Sequence, residues 1–166
     1  AGGLTVTGTT AINNTGTVRA TGIENKGGHI WLTASNGDVG NSGSLVARDS
    51  QGNGGTVQVT AHSDNAATTP ATTYNSGLID ASGTTAGAKG GTVEATGDQV
   101  DLLAGSTVDV SGDTGGGTAL IGGGPLGQSA DVLNARKTTV EEGATIKADS
   151  IGSGNGGNVT VWSDDT

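Results

Sequence analysis

The stretch GNGGTVQVTA, from Gly52 to Ala61, joins a glycine pair to an alternation of apolar and polar residues. The same arrangement recurs as KGGHIWLTA from Lys26, KGGTVEATG from Lys89 and GNGGNVTVWS from Gly154. In each copy the apolar residues occupy every second position, which predicts a short β-strand with one buried face. We expect the glycines to form sharp corners before the strands, because glycine tolerates a positive φ.

A second string recurs between the glycine pairs. It is written NTGTVRA from Asn14, NSGSLVA from Asn41 and NSGLIDA from Asn75, with looser copies from Leu103 and Glu141. Each copy ends in an apolar-x-Ala or apolar-x-Val pattern, and short apolar pieces before the copies predict a third strand. The asparagine side chains are expected to pair with stacked neighbours. Short strands that alternate with glycine turns at a coarse period are typical of a solenoid.

These patterns predict an all-β chain. Nearly identical strands stack best on their own copies, so we predict a parallel β-helix with columns of Val, Ile, Leu and Ala inside. At ~20–25 residues per coil, the chain gives about seven coils in one solenoid segment over residues 1–166. Two segments, 62–73 and 122–133, interrupt the period, and we predict that both emerge as loops.

Composition and charge exclude several classes of function. The formal net charge is −9, and the seven Lys and Arg residues form no cluster. Nucleic-acid binding needs a basic face, so no nucleic-acid partner is expected. No apolar run approaches the ~20 residues of a membrane span, so we expect no membrane insertion. The absence of Cys rules out disulfides and Cys-based metal sites.

The order of these strings resembles a known family. GGTVQVTA, NSGLIDASG and GGTVEATGDQVDLLAGSTVDVSG are followed by IGGG, NARKTTVEEGATIKADS and GNGGNVTVWSDDT. This series resembles the central rod of filamentous-haemagglutinin-like adhesins, the large exoproteins of two-partner secretion in Gram-negative bacteria. The resemblance implies a right-handed parallel β-helix, an outer-membrane transporter for the parent protein, and surface display or release. It further implies adhesion or matrix roles, and we expect a shaft segment of a longer exoprotein.

Candidate contact residues lie on the strands' outer faces and in the two predicted loops. Alternation places both tryptophans outward, and insertions in solenoids commonly carry binding. The partner expected for such contacts is a host-cell or matrix receptor, either glycan or protein. The candidates are Trp31, Trp162, His62, Asp64, Pro70, Pro125 and Leu126.

No cofactor is predicted. GGGPLG, from Gly122 to Gly127, matches G-x-G-x-x-G, but no helical pattern follows to receive a phosphate. Calcium is the remaining option for a hard cation, although the G-G-x-G-x-D repeat of calcium-binding β-rolls is missing. The carboxylates considered for calcium are Asp109, Asp113, Asp164 and Asp165.

The outward charged residues have two interpretations, a catalytic site or a structural ladder of ion pairs. The outward Asp80 and Asp109 are expected to stack on adjacent coils, with Arg19 and Lys147 in the same column. Polysaccharide-cleaving β-helices use clustered carboxylates beside aromatic sugar platforms. Aromatic residues are almost absent here, so an ion-balanced ladder is preferred and no enzyme activity is predicted.

The remaining predictions concern assembly and modification. Asn13 and Asn158 begin N-x-T sequences that are candidate glycosylation acceptors. The main prediction is a rigid, acidic, secreted rod with structural or adhesive function. The alternatives are a fibre subunit that stacks head to tail on neighbouring solenoids, and a polysaccharide-acting β-helix.

Overall fold

The computed structural model describes residues 3–22 and 27–165. Lys26, where one copy of the repeat begins, lies outside these residues. The strands are β1 (Gly3–Gly8), β2 (Ile12–Asn14), β3 (Thr17–Thr21), β4 (His29–Ser35), β5 (Val39–Asn41), β6 (Ser44–Arg48), β7 (Thr56–His62), β8 (Thr72–Asn75), β9 (Leu78–Asp80), β10 (Thr92–Gly97), β11 (Gln99–Leu102), β12 (Thr107–Asp109), β13 (Thr118–Ile121), β14 (Lys137–Val140), β15 (Thr145–Lys147) and β16 (Asn158–Val161). A short 3-10 turn, Pro125–Gly127, follows β13.

Each strand pairs in parallel with the strand three positions later in the chain, and this pairing produces three sheets. Sheet A has the order β1-β4-β7-β10-β13-β16, sheet B β2-β5-β8-β11-β14 and sheet C β3-β6-β9-β12-β15. Each coil therefore contributes one strand to each face. The all-β parallel β-helix predicted from the sequence is confirmed.

The predicted number of about seven coils is wrong. The described residues form five complete coils and the first strand of a sixth. Five coils separate Gly3 at the start of β1 from Asn158 at the start of β16, which gives about 31 residues per coil. The prediction assumed shorter coils, whereas a coil has three strands and several long corners.

The core consists of stacked apolar columns. In sheet A, register aligns Leu4 with Ile30, and Ile30 with Val57. Ile30 and Val57 are fully buried. The columns of the three sheets meet inside the coil, where small and branched side chains fill the layers without any Phe or Met.

The glycine pairs form the corners between sheets C and A, but not for the predicted reason. The glycines with positive φ lie elsewhere, for example at Gly52 and Gly105. Apart from Gly156, the paired glycines are required instead because the neighbouring coil comes too close for a side chain. A Cβ on Gly91 would overlap the carbonyl oxygen of Gly55, and one on Gly117 would overlap that of Gly91. Gly91 and its equivalents also hydrogen-bond across the corner to the end of sheet C.

A ladder of asparagines runs along the corner between sheets B and C, as predicted. The Asn14 Nδ2 donates to Asn41 Oδ1 at 2.8 Å, and the Asn41 Nδ2 donates to Asn75 Oδ1 at 2.7 Å. Asn41 is fully buried. Leu102 takes the next position in register, so the ladder ends at Asn75.

Both interruptions of the repeat are loops at the corner between sheets A and B. Loop 1, residues 63–71, joins β7 to β8, and loop 2, residues 122–136, joins β13 to β14. Long connections also occur at the glycine-pair corner, at residues 81–91 and 148–157. Within the described part of the chain, no helix has the length and apolar character needed to cross a bilayer.

Candidate functional site

Loop 1 is fixed at both ends by one buried carboxylate. Asp98, directly before β11, is 5% exposed. Its Oδ2 accepts hydrogen bonds from the backbone N–H of Ser63 at 2.8 Å and of Ala71 at 2.9 Å. Its Oδ1 lies 3.0 Å from Nδ1 of His62. The next coil therefore holds both ends of loop 1 in place.

Arg136, the last residue of loop 2, connects the same corner across several coils. Its backbone N–H donates to the Asp98 carbonyl at 2.9 Å, and its carbonyl accepts from the Asp165 N–H at 2.9 Å. Its side chain extends back to loop 1, where Nη1 lies 3.3 Å from the Ala66 carbonyl oxygen. Its Nε lies 3.3 Å from Oδ2 of Asp165. The guanidinium thus lies between loop 1 and the segment that follows β16.

A cleft of about 360 Å³ lies at this point, and we call it the corner cleft. Gln99 and Lys137 face each other in register on β11 and β14. The cleft combines two basic heads, one amide, one carboxylate and an apolar side. Its lining residues are Ala66, Ala67, Pro70, Gln99, Arg136, Lys137 and Asp165.

The candidates in loop 1 and at its start have different surroundings. The His62 side chain is 50% exposed and contacts Asp98. Asp64 is tied to the preceding coil, since its Oδ2 accepts from Nδ2 of Asn36 at 3.0 Å and its N–H donates to Oδ1 of Asn36 at 2.9 Å. Pro70 is half-buried and lines the corner cleft. Of these three, Pro70 alone belongs to the lining of that cleft.

The candidates around loop 2 differ in their exposure to solvent. Pro125 is exposed, and Leu126 is 71% exposed with a φ of 58°. Trp162 is half-buried, with its ring directly against Gly123 and Gly127, where a Cβ would overlap it. Its Nε1 donates to Oδ1 of Asp164 at 2.9 Å. Trp162 therefore covers loop 2, while Leu126 projects into solvent.

Trp31 lies apart from the loops, on the outer face of sheet A. It is 37% exposed, and its ring stacks on that of His29 with the centroids 5.2 Å apart. The same column continues with Gln58 and Glu94, whose side chains are hydrogen-bonded at 3.0 Å. Burial raises the pKa of Glu94, although the hydrogen bond from Gln58 acts in the opposite direction.

The predicted charged column exists on sheet C. Register places Asp80 beside Asp109 and Asp109 beside Lys147, while Arg19 lies two coils before Asp80. Asp80 forms an ion pair with Arg48, a partner that the sequence analysis missed. A groove of about 560 Å³ runs beside this column. The groove is lined by Ser82, Gly83, Thr84, Thr85, Ala86, Asp109, Ser111, Asp113, Lys147, Asp149 and Ile151.

The carboxylates considered for calcium bind different partners of their own. Asp109 Oδ1 accepts from the Ser111 N–H at 2.8 Å, and Asp113 Oδ2 accepts from the Gly87 N–H at 2.7 Å. Asp164 accepts from an indole and Asp165 from a guanidinium at the other corner. Over residues 3–22 and 27–165, no group of three or more His, Asp or Glu side chains is placed to hold a metal ion.

The two candidate glycosylation acceptors lie on the surface of strands. Asn13 is exposed in β2, and Asn158 is exposed as the first residue of β16.

Asp98 and Arg136 are residues of this candidate site that sequence reasoning missed. Each stands immediately before a strand, at the corner where the repeat is interrupted. Arg136 is a charged residue at the edge of an insertion, which is a signal that sequence reasoning can use, whereas Asp98 lies between β10 and β11 with no insertion beside it. The partners of Asp98 and Arg136, however, become visible only when the coils are stacked.

The chain matches no protein-family model and no curated protein. Among solved structures it is similar to the crystal structure of the HMW1 secretion domain from Haemophilus influenzae. The two sequences are 21% identical, and the TM-score is 0.43. The match covers 93% of this chain and 59% of that one, so this chain spans less than two thirds of its length.

Proposed function

We propose that this chain is a structural and adhesive rod segment of a secreted, surface-exposed filamentous adhesin of a Gram-negative bacterium. The unbroken parallel register of three sheets carries this proposal. Hydrogen bonds between coils run along the rod axis, so tension is shared among all three faces. The resemblance of the repeat strings to two-partner-secretion exoproteins supports the location and an outer-membrane transporter as partner of the parent protein.

Net charge and the two loops have different roles in the proposed rod. A net charge of −9 on a small chain keeps neighbouring rods soluble and apart. Loops 1 and 2 project from the same corner, where a receptor meets them before it meets the flat sheets. A host-cell or matrix receptor, glycan or protein, is the partner proposed for this corner.

The proposed function is non-catalytic and needs no cofactor. Asp80 is paired with Arg48, and Asp98 is engaged by loop 1. These carboxylates stabilise the coil. A glycan-release assay on acidic and neutral polysaccharides tests this part, because measurable cleavage would contradict it.

Surface labelling of intact bacteria tests the location and adhesion. Antibodies raised against the purified chain should label unbroken cells of the source bacterium, and external protease should remove the label. Beads coated with the chain should adhere to host cells or matrix more than beads coated with a variant whose loop 1 is replaced by a short glycine linker. Labelling that requires cell lysis would overturn the proposal.

A fibre built by head-to-tail stacking is the second candidate. It is favoured by apolar side chains at both ends, where Leu4, Val6, Val159 and Val161 are 36% to 48% exposed. It is opposed by the strand count, because sheet A has six described strands and sheets B and C have five, so β1 stacked on β16 of another copy leaves β3 without direct contact to β15. Electron microscopy separates the candidates, since filaments of the purified chain indicate a fibre subunit and short rods a segment.

A further inference from the structure

We propose that the corner cleft binds the carboxylate of an acidic sugar through the side chains of Arg136 and Lys137. The carboxylate of Asp165, which pairs with Arg136, takes the place of the sugar carboxylate. The proposal deepens the proposed function by naming the chemistry of one contact. It rests on the proposed function only for the location at which the protein encounters the ligand.

The distribution of basic residues carries the first step. Only seven Lys and Arg residues occur in the chain, and Arg136–Lys137 is the one place where two are consecutive. Both line the same cleft. In an otherwise acidic protein, a local positive site of this kind offers an anion specific hydrogen bonds where the remaining surface repels it.

The Arg136–Asp165 pair shows what the cleft accepts. Asp165 places a carboxylate oxygen 3.3 Å from the Arg136 Nε, and the two side chains are 53% and 62% exposed. Such an exposed ion pair is weak, so a ligand carboxylate can replace it. Lys137 forms no ion pair with any residue in the described part of the chain, which leaves its ammonium free for the same ligand.

The cleft is already formed. The Arg136 backbone is hydrogen-bonded to Asp98 on one side and Asp165 on the other, and Asp98 also fixes loop 1. Asp101, a further carboxylate on this face, lies two residues beyond Gln99 on β11 and is outside the lining. A ligand therefore binds without a large ordering cost.

The remaining lining suits a sugar ring. Ala67 and Pro70 offer an apolar wall for C–H groups, while the Gln99 amide can donate to and accept from hydroxyls. A volume of about 360 Å³ is near the small end of ligand sites and matches one or two rings.

Calorimetry with trigalacturonate at low ionic strength tests the proposal, with the fully methyl-esterified trisaccharide as the neutral ligand. The acid should bind and the ester should not. Arg136→Gln and Lys137→Gln should each weaken binding about tenfold, the usual cost of a charge-assisted contact. Asp165→Asn should tighten binding, because it removes the competing carboxylate.

Lys147→Gln is the matched control, since it removes the same charge from the exposed end of β15. It should leave affinity unchanged. Equal losses for Lys147→Gln and Lys137→Gln, equal binding of the ester, or an unchanged affinity for Asp165→Asn would each overturn the proposal. Circular dichroism confirms that the variants fold. Surface labelling of cells is independent of this binding, so the two proposals fail separately.

Discussion

At the corner between sheets C and A, the neighbouring coil leaves room for a glycine hydrogen but not for a side chain. The Thr92 N–H donates to the Gly55 carbonyl at 2.9 Å, which brings Gly91 against that same oxygen. Coil spacing is set near 4.8 Å by the hydrogen bonds of all three sheets, so the oxygen cannot retreat. The corner therefore excludes even one methyl group.

Gly91→Ala should lower the free energy of unfolding by at least about 2 kcal/mol, as overpacking against an immobile backbone does. Gly16→Ala is the matched control, because nothing lies within 4 Å of a Cβ at Gly16. Its effect should stay within about 0.5 kcal/mol. Urea unfolding measures both, and equal losses in the two variants would contradict the steric explanation.

At the scale of elements, loop 1 depends on one side chain from another coil. Asp98 receives two backbone N–H groups from the ends of the loop and one contact from His62. Removal of the carboxylate leaves two buried donors without an acceptor. The consequence is local, because β7 and β8 keep their own ladders.

Asp98→Ala should cost about 3 kcal/mol of stability, since each buried donor left unpaired costs ~1–3 kcal/mol. Trypsin has no target within loop 1, so proteinase K is the probe, and it should cut residues 63–71 sooner than in the unchanged protein. His62→Gln is the control and should cost less than about 1 kcal/mol, because that side chain is half exposed. Cleavage at the unchanged rate in Asp98→Ala would contradict the role of this carboxylate.

Strand positions, the buried columns and the two loops could be predicted because they depend on local alternation and on breaks in a period. The number of coils could not, since it depends on which strands pair. The Asp98 contacts could not be predicted either, because its partners lie 27 to 36 residues away in sequence. The reason for the glycine pairs was misjudged because the clash comes from the next coil.

At the scale of the molecule, burial of each coil depends on its neighbours. Leu4 and Val6 in β1 are 38% and 36% exposed, while Val57 and Val59 at the same register positions in β7 are 0% and 1% exposed. The difference arises from stacking alone, since all four belong to inward columns. A solenoid of this kind is stabilised by nearest-neighbour interfaces, so local stability should fall toward the ends.

Hydrogen exchange followed by mass spectrometry should therefore show the slowest exchange in β7 and β10, with neighbours on both sides, and the fastest in β1 and β16. Local opening of an end coil breaks one interface, whereas opening of a central coil breaks two. In the dilute purified chain the gradient should be symmetric about the middle coils. Uniform protection would contradict nearest-neighbour stabilisation. Protection of β1 and β16 that rises with protein concentration would instead show that copies cover each other's ends, and would favour the fibre.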